Sequence, residues 1–172
     1  MLIRERLWLE EYTYPFAEKV NPILLEYILR QENNSTTTPY HIKAKQTHWH
    51  LDSKEVRNLV EWITNLLHRD IEVRIRLKCA EVWGVVYNKG DYVDDHCHSP
   101  SQYSFVYYVN APKGASPLVF STSGHRVRAE AGKMIIFESR LNHKVLPNKG
   151  ENRCVISGNF INTLDVGTYG IE

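Results

Sequence analysis

From Ile71 onward the chain changes its hydrophobic period from that of a helix to that of a strand. Ile71, Val73, Ile75, Leu77 and Cys79 alternate with Glu72, Arg74, Arg76 and Lys78. Successive side chains of a strand point to opposite faces, so this stretch is expected to be a half-buried strand. Further short strand-like runs follow at 81–87, 92–98, 103–110, 117–122, 126–129, 133–137, 143–146 and 153–161. Turn signals separate them, among them Asn88-Lys89-Gly90-Asp91, Pro112-Lys113-Gly114 and Pro147-Asn148-Lys149-Gly150. Many short strands at such spacing can bury their apolar faces only against one another, in a sandwich or barrel.

Ahead of Ile71 the period is helical. Asn21 and Pro22 join a capping side chain to a proline at the first helical position, and Ile23, Leu24, Tyr27 and Ile28 recur at helical spacing. A helix is expected over 22–32, ended by an exposed polar loop at 33–39. Asp52 and Glu55 have the form of a capping box, and Val56, Leu59, Val60, Ile63, Leu66 and Leu67 make one apolar stripe. This predicts a second helix over 53–68 that backs a sheet. Residues 1–20 carry Trp8, Tyr12, Tyr14 and Phe16 and are expected to pack on the core, with room for a strand.

The 172 residues suit one domain, with helical support over about 1–70 and a β core over about 71–162. The formal net charge of +1 gives no global attraction to nucleic acid or to a membrane surface. The one local basic cluster is His41, Lys43, Lys45, His48 and His50, and nucleic acid is not the expected partner. No apolar run approaches the roughly 20 residues of a membrane helix, and the N-terminus lacks the apolar segment of a signal peptide. Cys79, Cys97 and Cys154 are odd in number and widely spaced, so a reducing cytoplasm is the expected compartment. A homodimer is compatible with the sequence.

Chemistry concentrates between Tyr87 and Asn110. His96 and His98 are an i, i+2 pair, which a strand would present on one face, where two imidazoles can grip one metal ion. His143 follows a turn, a buried strand ending at Phe137 and a second turn, and Arg153 opens the last apolar run ten residues later. His48-Trp49-His50 has the same spacing but no matching downstream partner, and reads as surface or as the rim of a substrate site. Cys97 should point away from any metal that its neighbours bind. Tyr107 reads as core, and His125 as part of a surface hairpin.

The order of these elements is His-x-His, a Tyr-Tyr-Val-Asn strand, a Gly-led strand ending in Phe, then His and Arg. It resembles the 2-oxoglutarate/Fe(II)-dependent dioxygenases, in particular their prolyl-hydroxylase-like branch with its bacterial and phage relatives. The resemblance covers about residues 80–162. It implies a mainly β fold with supporting α, a double-stranded β-helix (jelly roll) with N-terminal helices packed on one sheet. It implies Fe(II), 2-oxoglutarate and O2 as cofactors, with His96 and His143 as metal ligands and Arg153 as the anchor of the distal cosubstrate carboxylate. Tyr87 matches a tyrosine that lends its hydroxyl to that carboxylate; Tyr108 would line the same pocket, and Ser157, on the strand face of Arg153, would reach inward. The family's second ligand is a carboxylate two residues after the first histidine, where this chain has His98. Three readings stand: His96, His98 and His143 as a three-histidine site, Asp94 as the carboxylate, or Asp95 reaching across a bend. The implied activity is hydroxylation of a C–H bond in a small-molecule or peptide substrate, such as a peptidyl or free amino-acid side chain. The alternative is a cupin-like metal-binding jelly roll that is not an oxygenase: an isomerase, a thiol dioxygenase or a structural metal module.

Overall fold

The computed structural model describes residues 8–31, 41–71 and 76–163. In chain order they form β1 (Leu9–Thr13), α1 (Ala17–Gln31), β2 (Ile42–Lys43), β3 (Lys45–Gln46), α2 (Lys54–Asp70), β4 (Leu77–Tyr87), β5 (Tyr92–His96), β6 (Tyr103–Asn110), β7 (Leu118–Phe120), β8 (Arg126–Val127), β9 (Lys133–Glu138), β10 (His143–Val145) and β11 (Arg153–Asn162). The predicted loop at 33–39 and residues 72–75 of the predicted strand lie outside the described residues.

The strands make two sheets. One has six strands in the order β1-β9-β6-β11-β4-β3, and the other five in the order β2-β5-β10-β7-β8. All the strand pairs are antiparallel. Strands remote in sequence lie side by side, β11 between β4 and β6, and β10 between β5 and β7, giving the jelly roll that the family resemblance implies.

Strand alternation divides the core in two. Val86, Cys154, Ile156, Tyr107, Val109, Met134 and Ile136 face the helices and pack on Leu24, Ile28, Leu59 and Ile63. The residues between them, Val85, Tyr87, Val155, Val106, Tyr108, Ile135 and Phe137, face the second sheet and pack on Val93, Leu118, Phe120 and Val145. The six-stranded sheet is therefore buried on both faces, which is why β6 and β11 read as nearly continuous apolar runs. α1 approaches β4 closely at Gly84, where a Cβ would stand 2.9 Å from Ile28 Cγ2.

The helices differ from the sequence expectation at their starts. α1 begins at Ala17, and Pro22 lies inside it. Asn21 is not a cap, because its side chain accepts a hydrogen bond from the Tyr107 hydroxyl. An aromatic cluster of Tyr14, Phe16, Trp62 and Tyr107 anchors the earlier start. α2 is capped by Ser53, whose hydroxyl accepts from Val56 N at 3.2 Å, while the Asp52 carboxylate pairs with Arg57.

The N-terminal half also supplies strands. β1 adds to β9, β2 to β5 and β3 to β4, so both sheets are completed from before residue 71. Ile71, expected to open a strand, instead ends α2, its N–H donating to Leu67 O; Leu77–Cys79 of that predicted run and the run at 81–87 join into the single β4. A bulge lets Ala80 pass without a partner, since Asn159 pairs with Glu81 but Phe160 with Cys79. No helix among the described residues is long and apolar enough to cross a membrane.

Candidate functional site

His96 ends β5 and His143 begins β10, directly opposite it in register. His98 lies two residues past the end of β5, where its backbone N–H donates to Ser139 O at 2.7 Å. The three imidazoles converge, each offering a ring nitrogen within 4.8 Å of the others. Ring centroids stand 4.4 Å apart for His96 and His143, 4.9 Å for His96 and His98, and 5.0 Å for His98 and His143.

Two of the rings are oriented by backbone carbonyls. His96 Nδ1 lies 2.8 Å from Asp94 O, and His143 Nδ1 lies 2.8 Å from Leu141 O. A carbonyl only accepts, so each Nδ1 carries the proton and each Nε2 presents a lone pair. A backbone partner on the second nitrogen is the usual way a metal-binding histidine is aimed. Burial and mutual repulsion hold the rings neutral, with His98 pushed down to about 2 and His143 to about 3. Burial lowers His96 as well. Three neutral imidazoles in one place make a donor set for a divalent transition metal, iron included.

Asp94 and Asp95 are both exposed and stand outside this group. A bulge in β5 is the reason. His143 pairs with His96 but Val145 pairs with Val93, so β5 uses three residues where β10 uses two. The strict alternation that would put Asp94 on the face of His96 is broken, and the Asp95 carboxylate accepts from Ser121 Oγ instead.

Arg153 opens β11 opposite Tyr87 and is fully buried. Its Nε donates to Ser116 O at 3.0 Å, whereas Nη1 and Nη2 have no hydrogen-bond partner. The guanidinium carbon lies 4.4 Å from the Tyr87 ring centre and 5.3 Å from that of Tyr108. The Tyr108 hydroxyl is likewise buried without a partner. Burial raises the pKa of both phenols, and the nearby guanidinium partly opposes it. Ser157, on the same face of β11, lines one pocket with Arg153, Tyr87 and all three histidines. An unpaired buried cation is costly, so two unpartnered guanidinium nitrogens beside an unpartnered phenol suit an anion. The bidentate fork matches a carboxylate.

Sequence reasoning placed His41 in a basic cluster and missed that it stands beside the metal-ligand candidates. It precedes β2, which pairs with β5, and its ring centroid lies 4.8 Å from that of His96. The alternation of Ile42, Ala44 and Gln46 with exposed Lys43 and Lys45 was the available signal for these edge strands. His48 and His50 are exposed on the surface. His125 is half-exposed beside Glu11.

No protein-family model matches the sequence, and no curated protein matches it. Solved structures do match. A viral collagen prolyl hydroxylase from Paramecium bursaria Chlorella virus-1, in complex with 2-oxoglutarate, aligns with a TM-score of 0.74 at 15% identity, covering 89% of this chain and 95% of its own. A Pseudomonas putida prolyl-4-hydroxylase aligns with a TM-score of 0.70 at 18% identity, covering 90% and 92%. A Trichoplax adhaerens prolyl hydroxylase, in complex with a hypoxia inducible factor peptide fragment, aligns with a TM-score of 0.69 at 13% identity, covering 88% and 83%. The chain therefore has the fold of the prolyl-hydroxylase-like 2-oxoglutarate/Fe(II) oxygenases.

Proposed function

We propose that the chain is an Fe(II)- and 2-oxoglutarate-dependent oxygenase that hydroxylates a C–H bond of a peptidyl or free amino-acid side chain. The observation that carries this reading is Arg153, a fully buried guanidinium with both terminal nitrogens unpartnered, in one pocket with three convergent imidazoles. His96, His98 and His143 would hold the iron. Arg153, with Tyr87, Tyr108 and Ser157 around it, would hold the distal carboxylate of 2-oxoglutarate. When bound, iron and cosubstrate supply the oxidation: one oxygen atom of O2 enters the substrate C–H bond, the other enters succinate, and CO2 leaves.

The chain's own part is position and exclusion of water. Asp94 O and Leu141 O hold two imidazoles in the tautomer that donates through Nε2. Ser116 O fixes the guanidinium through Nε, leaving its outer fork for the carboxylate. Val85, Val106, Val145 and Val155 wall the pocket, so the charges meet at low dielectric, where their attraction is strong. A peptide is the leading substrate class, since one of the similar prolyl hydroxylases is in complex with a peptide fragment. A cytoplasmic setting fits the three free cysteines.

The three-histidine donor set is the feature that favours a metal-binding jelly roll without oxygenase activity. The unpartnered guanidinium opposes it, because such chemistry needs no dicarboxylate anchor. Calorimetric titration of 2-oxoglutarate into the anaerobic Fe(II) protein decides between them. The oxygenase reading expects saturable binding that Arg153→Ala removes; absent binding, or binding indifferent to that change, overturns it.

A further inference from the structure

His98 lines two cavities. One is the interior pocket with Arg153 at its end; the other is an outer groove that opens between Trp49 and the 97–101 loop. Trp49 is among the few large apolar side chains left exposed, at 37%. Its indole packs edge-on against Trp83 at 4.8 Å, and Trp83 stands 5.8 Å from His98. Glu81 and Asn159 line the groove as well. Glu81 Oε2 accepts from Asn159 Nδ2 at 2.9 Å, Asn159 Oδ1 accepts from Ser104 Oγ at 2.8 Å, and Ser104 Oγ lies 2.7 Å from Ser139 Oγ. Asn159, Ser104 and Ser139 are all buried. Each link is satisfied, so the chain fixes the carboxylate rather than straining the sheet. Among the described residues, no ion pair uses Glu81. The bulge at Ala80 sits beside it, where bulges commonly re-aim a side chain.

We propose that this outer groove seats the prime substrate and selects a peptide with a basic side chain near the residue delivered to His98. Glu81 is the counter-charge, and the Trp49 indole is the face on which the substrate packs. A held carboxylate beside an exposed indole suits a lysine or arginine, whose apolar stem covers the ring while its charged head meets the acid. An acidic peptide would face like charge. The net charge of +1 gives no general attraction for cations, so such a preference would have to arise locally. This inference rests on the oxygenase reading only for what happens to the bound peptide.

The test uses the full chain under nitrogen, where no turnover occurs. Two fluorescein-labelled, end-blocked peptide series, proline-centred and flanked by lysine or by glutamate, are titrated and followed by anisotropy. The lysine series is expected to bind about tenfold tighter at low salt, as a charge-assisted contact in a half-exposed groove would give. Glu81→Gln keeps the acceptor for Asn159 and should erase the preference. Trp49→Ala should weaken both series. Calorimetric binding of 2-oxoglutarate, unchanged in both variants, reports that the fold and the inner pocket are intact. Equal binding of the two series, a preference that survives Glu81→Gln, or binding of neither series overturns the inference. A lysine preference that depends on Glu81, in a protein that ignores 2-oxoglutarate, upholds the groove and overturns the oxygenase reading alone.

Discussion

Arg153 and Tyr87 face each other across β11 and β4 in direct register, with the guanidinium carbon 4.4 Å from the ring centre. The ring offers the cation a partial partner, but no hydrogen bond for Nη1 or Nη2. The two terminal nitrogens are the place where an incoming carboxylate gains most. Arg153→Lys keeps the charge and loses the fork, so 2-oxoglutarate affinity should fall on the order of 100-fold, as the loss of two charge-assisted hydrogen bonds implies. Tyr87→Phe keeps the ring against the guanidinium and should cost about tenfold, one hydrogen bond's worth. Calorimetry on both variants checks the order; equal losses would mean that the fork is not used.

The metal set makes its own prediction. Wild-type protein should bind one Co(II) per chain, with ligand-field absorption bands that report the donors. His143→Ala should lower affinity at least 100-fold, since even outer partners of metal ligands cost 10–100-fold. His98→Asp puts the family's carboxylate where this chain has an imidazole. It should retain binding and change the spectrum, because a charged oxygen replaces a neutral nitrogen. Loss of binding in His98→Asp with retention in His143→Ala would sink this assignment.

Acid should unfold the metal-free protein early. Folding depresses His98 to about 2 and His143 to about 3, while unfolded histidines titrate near 6.5. As pH falls below about 6.5 the unfolded chain takes up protons that the folded one refuses. The stability from these two groups is therefore complete above 6.5 and lost progressively as pH falls towards 3. The melting temperature of metal-free protein should drop steadily from pH 7 to pH 5, and His143→Gln should make that drop shallower. A melting temperature flat over this range would contradict the burial of the rings.

Much of this could be read in the sequence because strand alternation is a local signal. β6 was bounded correctly at Tyr103–Asn110, and β11 to within a residue at its end, because their apolar runs stop at polar turns. The approach of His143 to His96 could be read only through resemblance, since nothing local tells β10 to pair with β5. The bulges were hidden for the same reason. A bulge is defined by the partner strand, so neither the exposure of Asp94 nor the joining of two predicted runs into β4 at Ala80 has a mark in its own segment. Asn21 resembled a cap because Tyr107, which takes its side chain, lies 86 residues away. His41 reads as part of a basic cluster because the pairing of β2 with β5, which brings it to His96, has no mark in its own segment.

β11 lies between β4 and β6, and at Gly158 the three strands leave no room for a side chain. Gly158 lies just before the bulge, where a Cβ would stand 2.4 Å from Phe105 Cε1 and 2.7 Å from Glu81 O. The ring is fully buried and packed on Phe160, so it has little room to turn away. The carbonyl belongs to backbone in the middle of the sheet and can yield only by opening the pairing of β4 with β11. Gly158→Ala should therefore destabilise the protein by about 3 kcal/mol, at the upper end for overpacking. Because Glu81 and Asn159 pair at the same point, the variant should also loosen the outer groove before it disturbs Arg153. Urea denaturation gives the first quantity. The second would appear as weaker binding of lysine-flanked peptides, with 2-oxoglutarate affinity kept at temperatures where the variant is folded. A neutral Gly158→Ala would mean that β4 and β11 are not this close.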